Sequence, residues 1–297
     1  MTYLNIRLII IHIFVCFGAV YDPIKVTDFC DFPCEKAQDK NFLCKMGTEC
    51  EVVENCEYRP LDDKFRLSIL EKHNQLRNMF PDDLERRGYK PKPSNMRALS
   101  WDLGLEFVAT CEVRMCEIKK LFCKTTRRFS SIGQNYRIIF QDKQNLTSTD
   151  EYFTDDHILS LIQEWYDQIN IVFDNKLESI FVQFHEIPQK YFSDFTQIVW
   201  ARTSHVGCAM SHHFVNKIFF LVCLYGRTGN REGQPVFRPG SPCEGCVGVK
   251  CNEVYTNLCG PIEPINIDDM HGSNSKKVSM EYTFVTFVIG FNVISFY

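Results

Sequence analysis

Apolar positions recur with two different periods along the chain. Phe65, Ile69, Leu76 and Phe80 share one face of a helix that Asp62 or Asp63 opens and Pro81 stops. Leu105, Val108, Ala109 and Met115 give a second helix, which carries Cys111 and Cys116. Asp155 or Asp156 caps a third, striped by Leu159, Ile162, Trp165 or Tyr166, and Ile169. Residues 194–201 read as a short fourth helix. Ile132 to Phe140 is short and β-prone, with Gly133 at a tight spot. Val206 to Ser211 and Ile218 to Tyr225 are apolar runs joined by a polar turn, hence a hairpin. Helices before and after strands, without a regular βαβ alternation, predict an α+β layered domain.

The ends behave differently. Met1 to Arg7 is a short n-region with one positive charge, Leu8 to Phe17 is nearly unbroken apolar sequence, and Gly18 and Ala19 are small. This is the pattern of a cleaved signal peptide, residues 1–19. Residues 20–60 hold Cys30, Cys34, Cys44, Cys50 and Cys56 with little periodicity, a stapled and loop-rich arm. Cys243, Cys246, Cys251 and Cys259 mark a second stapled segment, residues 241–260, and residues 261–282 read as a linker. Residues 283–297 form a hydrophobic tail. It is shorter than the ~20 apolar residues of a spanning helix, and Asn292 interrupts it. Small residues from Gly272 to Ser275, a polar spacer and then this tail match a GPI-attachment signal, with Gly272 or Ser273 as the attachment site.

Composition narrows the function classes. The 297 residues carry 33 Lys+Arg against 37 Asp+Glu, a net charge of -4, which argues against a nucleic-acid groove. Fifteen cysteines are many for a reducing compartment. Removal of Cys16 with the leader leaves an even number, as full disulfide pairing requires. Asn145-Leu146-Thr147 is a glycosylation acceptor in a polar loop. The protein is expected outside the cell, secreted or held at the outer surface.

Three segments carry a resemblance: His73-Asn74-Gln75-Leu76-Arg77, Phe195-Thr196-Gln197-Ile198-Val199-Trp200, and Cys223-Leu224-Tyr225-Gly226 with Gly229-Asn230. Ala98-Leu99-Ser100-Trp101, Gly133-Gln134-Asn135 and Gly233-Gln234-Pro235-Val236 agree in order and spacing. Together they resemble the CAP superfamily of cysteine-rich secretory proteins, antigen-5 venom allergens and plant pathogenesis-related proteins. The arm and the pair Cys116/Cys123 look most like the insect antigen-5 branch. The resemblance implies a three-layer α-β-α sandwich over residues 61–240. It also implies the pairs Cys30 with Cys44, Cys34 with Cys123, and Cys208 with Cys223. Cys50 and Cys56 divide between Cys111 and Cys116, and the four C-terminal cysteines pair among themselves in one of three connectivities.

Many CAP members are expected to bind a divalent cation with two His and two Glu in a central cleft. Anchored on their flanking motifs, those positions are Lys120, Gln134, Gln168 and Asp194 here. An ammonium, two amides and one carboxylate make a poor cation site, because Lys offers no lone pair at neutral pH. No metal and no other cofactor is therefore expected. An ion pair between Lys120 and Asp194 is the hypothesis for what replaces it, against two solvated side chains.

Catalysis finds little support. His73, His157, His185 and His205 are present, but no Gly-x-Ser-x-Gly elbow accompanies them. His73 reads as a packed helix residue, His212-His213 as a solvated turn, and Cys243-x-x-Cys246 as structural disulfides. The expectation is a non-enzymatic binder of an extracellular protein or lipid. The alternatives are a secreted protease-like CAP protein and a GPI-anchored adhesion or receptor component.

Overall fold

The computed structural model describes residues 8–12, 29–30, 32, 41–45, 50, 53–117, 123–140, 154–265 and 286–290. It divides into two units. In the smaller, drawn from Met1–Pro23 and Ser273–Tyr297, β1 (Leu8–His12) pairs antiparallel with β7 (Thr286–Gly290). The signal-peptide cleavage site, Asn145, Gly272, Ser273 and most of the hydrophobic tail lie outside the described residues.

The larger unit, Ile24–Gly272, is built on one sheet. Among the described residues its strands are β2 (Cys56–Arg59), β3 (Ser100–Trp101), β4 (Ile132–Phe140), β5 (His205–His213) and β6 (Ile218–Gly226). The order is β2-β5-β6-β4, antiparallel throughout, with β3 joining β5 in parallel. β5 and β6 show no polar alternation because helices cover both faces. On one face, Val206, Cys208, Met210, Phe219, Leu221, Cys223 and Tyr225 pack against α1 (Asp63–Arg86), α3 (Asp155–Asp167), α4 (Ile169–Asp174) and α5 (Ser193–Ile198). On the other, Ala209, Val222 and Leu224 meet Leu105, Val108 and Ala109 of α2 (Leu103–Val113), with Phe29, Phe42 and Leu43 of the arm. This is the α-β-α sandwich.

Several boundaries depart from the periodicity. Pro81 does not stop α1: the helix runs on to Arg86, with Pro81 buried inside it. An interior proline costs about 3 kcal/mol, but burying Phe80 and Leu84 in the core offsets that at about 1.5–3 kcal/mol each. The second helix ends at Val113, before Met115 and Cys116, because Cys116 takes a left-handed conformation (φ 43°) and bonds to Cys56. Thr154, not Asp155 or Asp156, caps α3 through its side chain, and Leu159 is only partly buried beside Ile158, Leu161, Ile162, Trp165 and Tyr166. The fourth predicted helix ends at Ile198, since the Ala201 N–H turns away to the Val236 carbonyl at 2.9 Å. His212 and His213 close β5 rather than forming the turn; β2 pairs alongside them, and His212 is buried. That strand sits inside the arm read as loop.

The staples follow the same geometry. Cys30 bonds Cys44, and Cys208 bonds Cys223 directly across the hairpin. Cys50 takes Cys111 and Cys56 takes Cys116, so the arm is tied twice to the end of α2. Cys243 bonds Cys251 and Cys246 bonds Cys259, which leaves the Cys-x-x-Cys pair unbonded to each other. Cys123 is also disulfide-bonded; Cys34, the partner implied for it, lies outside the described residues.

Candidate functional site

The motif-bearing residues converge under the sheet, and what they do there is hold backbone. Arg77 of α1 is fully buried, and its guanidinium donates to the carbonyls of Arg97, Trp200 and Thr203 at 2.7–3.1 Å, and to Ile198. Burial lowers its pKa to about 9. Asn74 makes a reciprocal pair with Leu99, its Nδ2 donating to the carbonyl at 2.9 Å and its Oδ1 accepting the N–H at 2.8 Å. Gln197 accepts the Gly229 N–H at 2.8 Å and fills the space over Gly133, where a Cβ would stand 2.0 Å from its Oε1. Thr196 donates to Asn230 at 2.7 Å. These contacts knit α1, α5 and the loop after β6 into one frame.

His73 is buried in the same frame. Its Nδ1 lies 2.8 Å from the Ile69 carbonyl and its Nε2 2.9 Å from the Tyr225 hydroxyl. Asn135 donates to that hydroxyl at 3.3 Å, so the hydroxyl proton is free for Nε2 and the imidazole is neutral with its proton on Nδ1. Burial pushes its pKa down to about 4. It is a packed, hydrogen-bonded ring with no open path for a substrate proton.

The four cleft positions do not meet at one point. Alternation along β4 sends Asn135 and Arg137 to the α3 face and Gln134 to the α2 face. There Gln134 closes a ring with Glu112 and Lys124: Lys124 donates to Glu112 at 2.7 Å and to Gln134, and Gln134 donates to Glu112 at 2.9 Å. Lys124 and Glu112 are both buried, and burial depresses the lysine pKa against the pull of Glu112. A carboxylate at 134 would confront Glu112, which gives a local reason for the amide. On the α3 face, Gln168 and Asp194 are together. Gln168 donates to Asp194 Oδ2 at 2.8 Å and accepts the Phe195 N–H at 3.2 Å. Lys120 lies outside the described residues, so the pair expected for it with Asp194 lies there too.

Among the described residues, the cation that meets Asp194 is Arg137, at 3.1 Å, with Glu164 at 3.8 Å and the Trp165 ring 5.9 Å away. Burial raises the Asp194 pKa, while Gln168 and Arg137 oppose that shift. Sequence reasoning passed over Arg137; the signal for it was its place two residues beyond Asn135, on the same face of the strand. Among the described residues no cluster of three His, Cys, Asp or Glu side chains is arranged to hold a metal ion.

A family model for the cysteine-rich secretory protein (CAP) family matches residues 70–225. The chain belongs to that family. Within it, venom allergen-1 of Aedes albopictus is 31% identical over 226 residues, spanning 73% of this chain and 81% of its own. Venom allergen 5 of Rhynchium brunneum is 31% identical over 211 residues, 67% of this chain and 84% of its own. The solved structure of Na-ASP-1 shares the fold with a TM-score of 0.50 at 24% identity, over 71% of this chain and 50% of that one. The CAP signature segments are thus the frame just described. Among the described residues no helix is long and apolar enough to cross a membrane.

Proposed function

We propose that this chain is a secreted, antigen-5-like CAP protein that acts as a non-enzymatic binder of an extracellular protein or lipid, with the family's cation tetrad lost. The observation that carries the reading is Arg137, whose guanidinium contacts the Asp194 carboxylate and stands near Glu164. A guanidinium cannot be a metal ligand, and it already neutralises the carboxylate that a metal would need. The neutral, enclosed His73 supports the non-enzymatic side of the reading.

Calorimetric titration of the purified protein with zinc, calcium and magnesium chlorides tests the loss of the tetrad. No saturable heat is the expected result; one cation bound per chain overturns it. The lipid branch rests on organic extraction of the purified protein and on competition for labelled sterol. A secreted protease, the rival reading, predicts hydrolysis that serine- or cysteine-directed reagents block.

The sequence pattern of the tail supports a second element of this reading. The chain is made with a leader, carries a glycan on Asn145, and exchanges its tail for a GPI anchor at Gly272 or Ser273. Expressed in insect cells, surface protein is then released by phosphatidylinositol-specific phospholipase C. Protein found in the medium with residues 283–297 intact overturns the anchor and leaves a diffusible binder.

A further inference from the structure

A cavity of about 270 Å³ opens beside the C-terminal end of α1, and it shares no lining residue with the cleft of Arg137 and Asp194. Its wall is aromatic: Tyr89, Phe181 and Phe237 stand edge to face or tilted, with ring centroids 5.4 Å apart for Tyr89–Phe181 and 5.7 Å for Phe181–Phe237. Pro91, Pro235 and Pro239 contribute further apolar surface and no N–H donors. Backbone bonds fix the wall, the Val236 N–H reaching the Phe181 carbonyl at 3.1 Å and the Arg238 N–H reaching Asn95 Oδ1 at 2.8 Å.

The charged residues of the lining are of one sign. Arg202 and Arg238 line the cavity, both exposed, and no carboxylate lines it. Among the described residues neither guanidinium has a hydrogen-bond or ion-pair partner, unlike Arg66, Arg77, Arg86, Arg128 and Arg137. An apolar, ring-lined cavity whose lining also carries two exposed, uncommitted guanidinium groups can select a ligand by shape and by charge together. The volume lies just below the ~300–1,000 Å³ of ordinary ligand pockets, which favours a compact molecule.

We propose that this cavity binds a compact aromatic anion, an aryl carboxylate, sulfonate or sulfate. Its ring lies among Tyr89, Phe181 and Phe237, and its anionic group meets Arg202 and Arg238. The site goes beyond the cleft reading and stands or falls separately from it, because its test involves no cation and no residue of the cleft.

The experiment titrates the purified full chain with 1-anilinonaphthalene-8-sulfonate, read by fluorescence, beside the neutral analogue N-phenyl-1-naphthylamine. The sulfonate is expected to saturate one site per chain. The double variant Arg202→Glu/Arg238→Glu should weaken it by roughly tenfold or more, as loss of charge-assisted hydrogen bonds does. Both positions are exposed, so circular dichroism should report an unchanged fold. Val182→Asp, at a lining position 70% exposed, adds a carboxylate beside the mouth and should weaken the sulfonate in the same direction. Equal sulfonate affinity in the wild type and the folded double variant overturns the proposal. So does a neutral analogue that binds as tightly as the sulfonate.

Discussion

Two arginines show how differently the two regions under this sheet are used. Arg77 is fully buried, meets no carboxylate among the described residues, and is held by backbone carbonyls. Arg137 is partly exposed and is held by the Asp194 carboxylate in the cleft. The first binds the frame, where any change of residue type strands several carbonyls at once. The second is one partly exposed charge pair between β4 and α5, and its loss takes the donor from no backbone carbonyl. The lesson is that the signature segments of this chain hold backbone together, while the cleft residues meet one another through side-chain charge and amide contacts.

The sharpest way to break that contrast is Arg77→Ala. It removes the guanidinium donor from the carbonyls of Arg97, Ile198 and Thr203, leaves the Trp200 carbonyl only the Thr203 N–H, and should cost about 4 kcal/mol of stability. Arg77→Lys should recover little, since an ammonium cannot reproduce the planar fork. Denaturant unfolding checks both; a loss below ~1 kcal/mol would place Arg77 with ordinary surface arginines.

His73 extends the frame to pH. The folded imidazole has its pKa near 4, against about 6.5 when unfolded, so below 6.5 the unfolded chain takes up a proton that the folded chain refuses. Its contribution is present above pH ~6.5 and is lost as pH falls towards 4, a decline of about 3 kcal/mol. Unfolding free energies measured across that window should show the slope in the wild type and a flatter line in His73→Gln. Equal slopes would remove His73 as the cause.

Smaller again is Gln134→Glu. It sets a carboxylate against the buried Glu112, with Lys124 to share between them, and should cost about 1–3 kcal/mol at neutral pH, recovering on acidification as one carboxyl takes a proton. A variant as stable as wild type at pH 7 would mean that the α2 face tolerates a second acid beside Glu112.

What the sequence made legible follows the same division. Period and motif order were enough for α1, α3 and the hairpin, because each presents a continuous buried face; β4, with only Gly133 and Asn135 buried, was legible from its β-prone residues and its Gly-x-Asn motif. They misplaced the end of α1, since a proline's local cost is readable and the core waiting for Leu84 is not. β2 and β3 were invisible: four and two residues long, they exist only because β5 offers an edge. At the site, carrying the tetrad over from flanking motifs did bring Gln168 and Asp194 together. It could not see that Gln134 turns to the other face or that Arg137 enters, because both depend on pleat alternation read against neighbours from α2, α3 and α5.

The cleft pair itself should give the smallest effect. Arg137 and Asp194 are 28% and 20% exposed, so a double-mutant cycle with Arg137→Gln and Asp194→Asn should return a coupling of about 1 kcal/mol. The informative readout is the Asp194 carboxyl, followed by NMR. Burial already raises its pKa, and Arg137 and Gln168 restrain the rise, so Arg137→Gln should move it further up. A carboxyl held above its unfolded value binds a proton more readily in the folded chain, so the variant should gain stability as pH falls through that range. If the carboxyl does not move, the charge facing Asp194 in solution is not Arg137, and Lys120 becomes the cation to test.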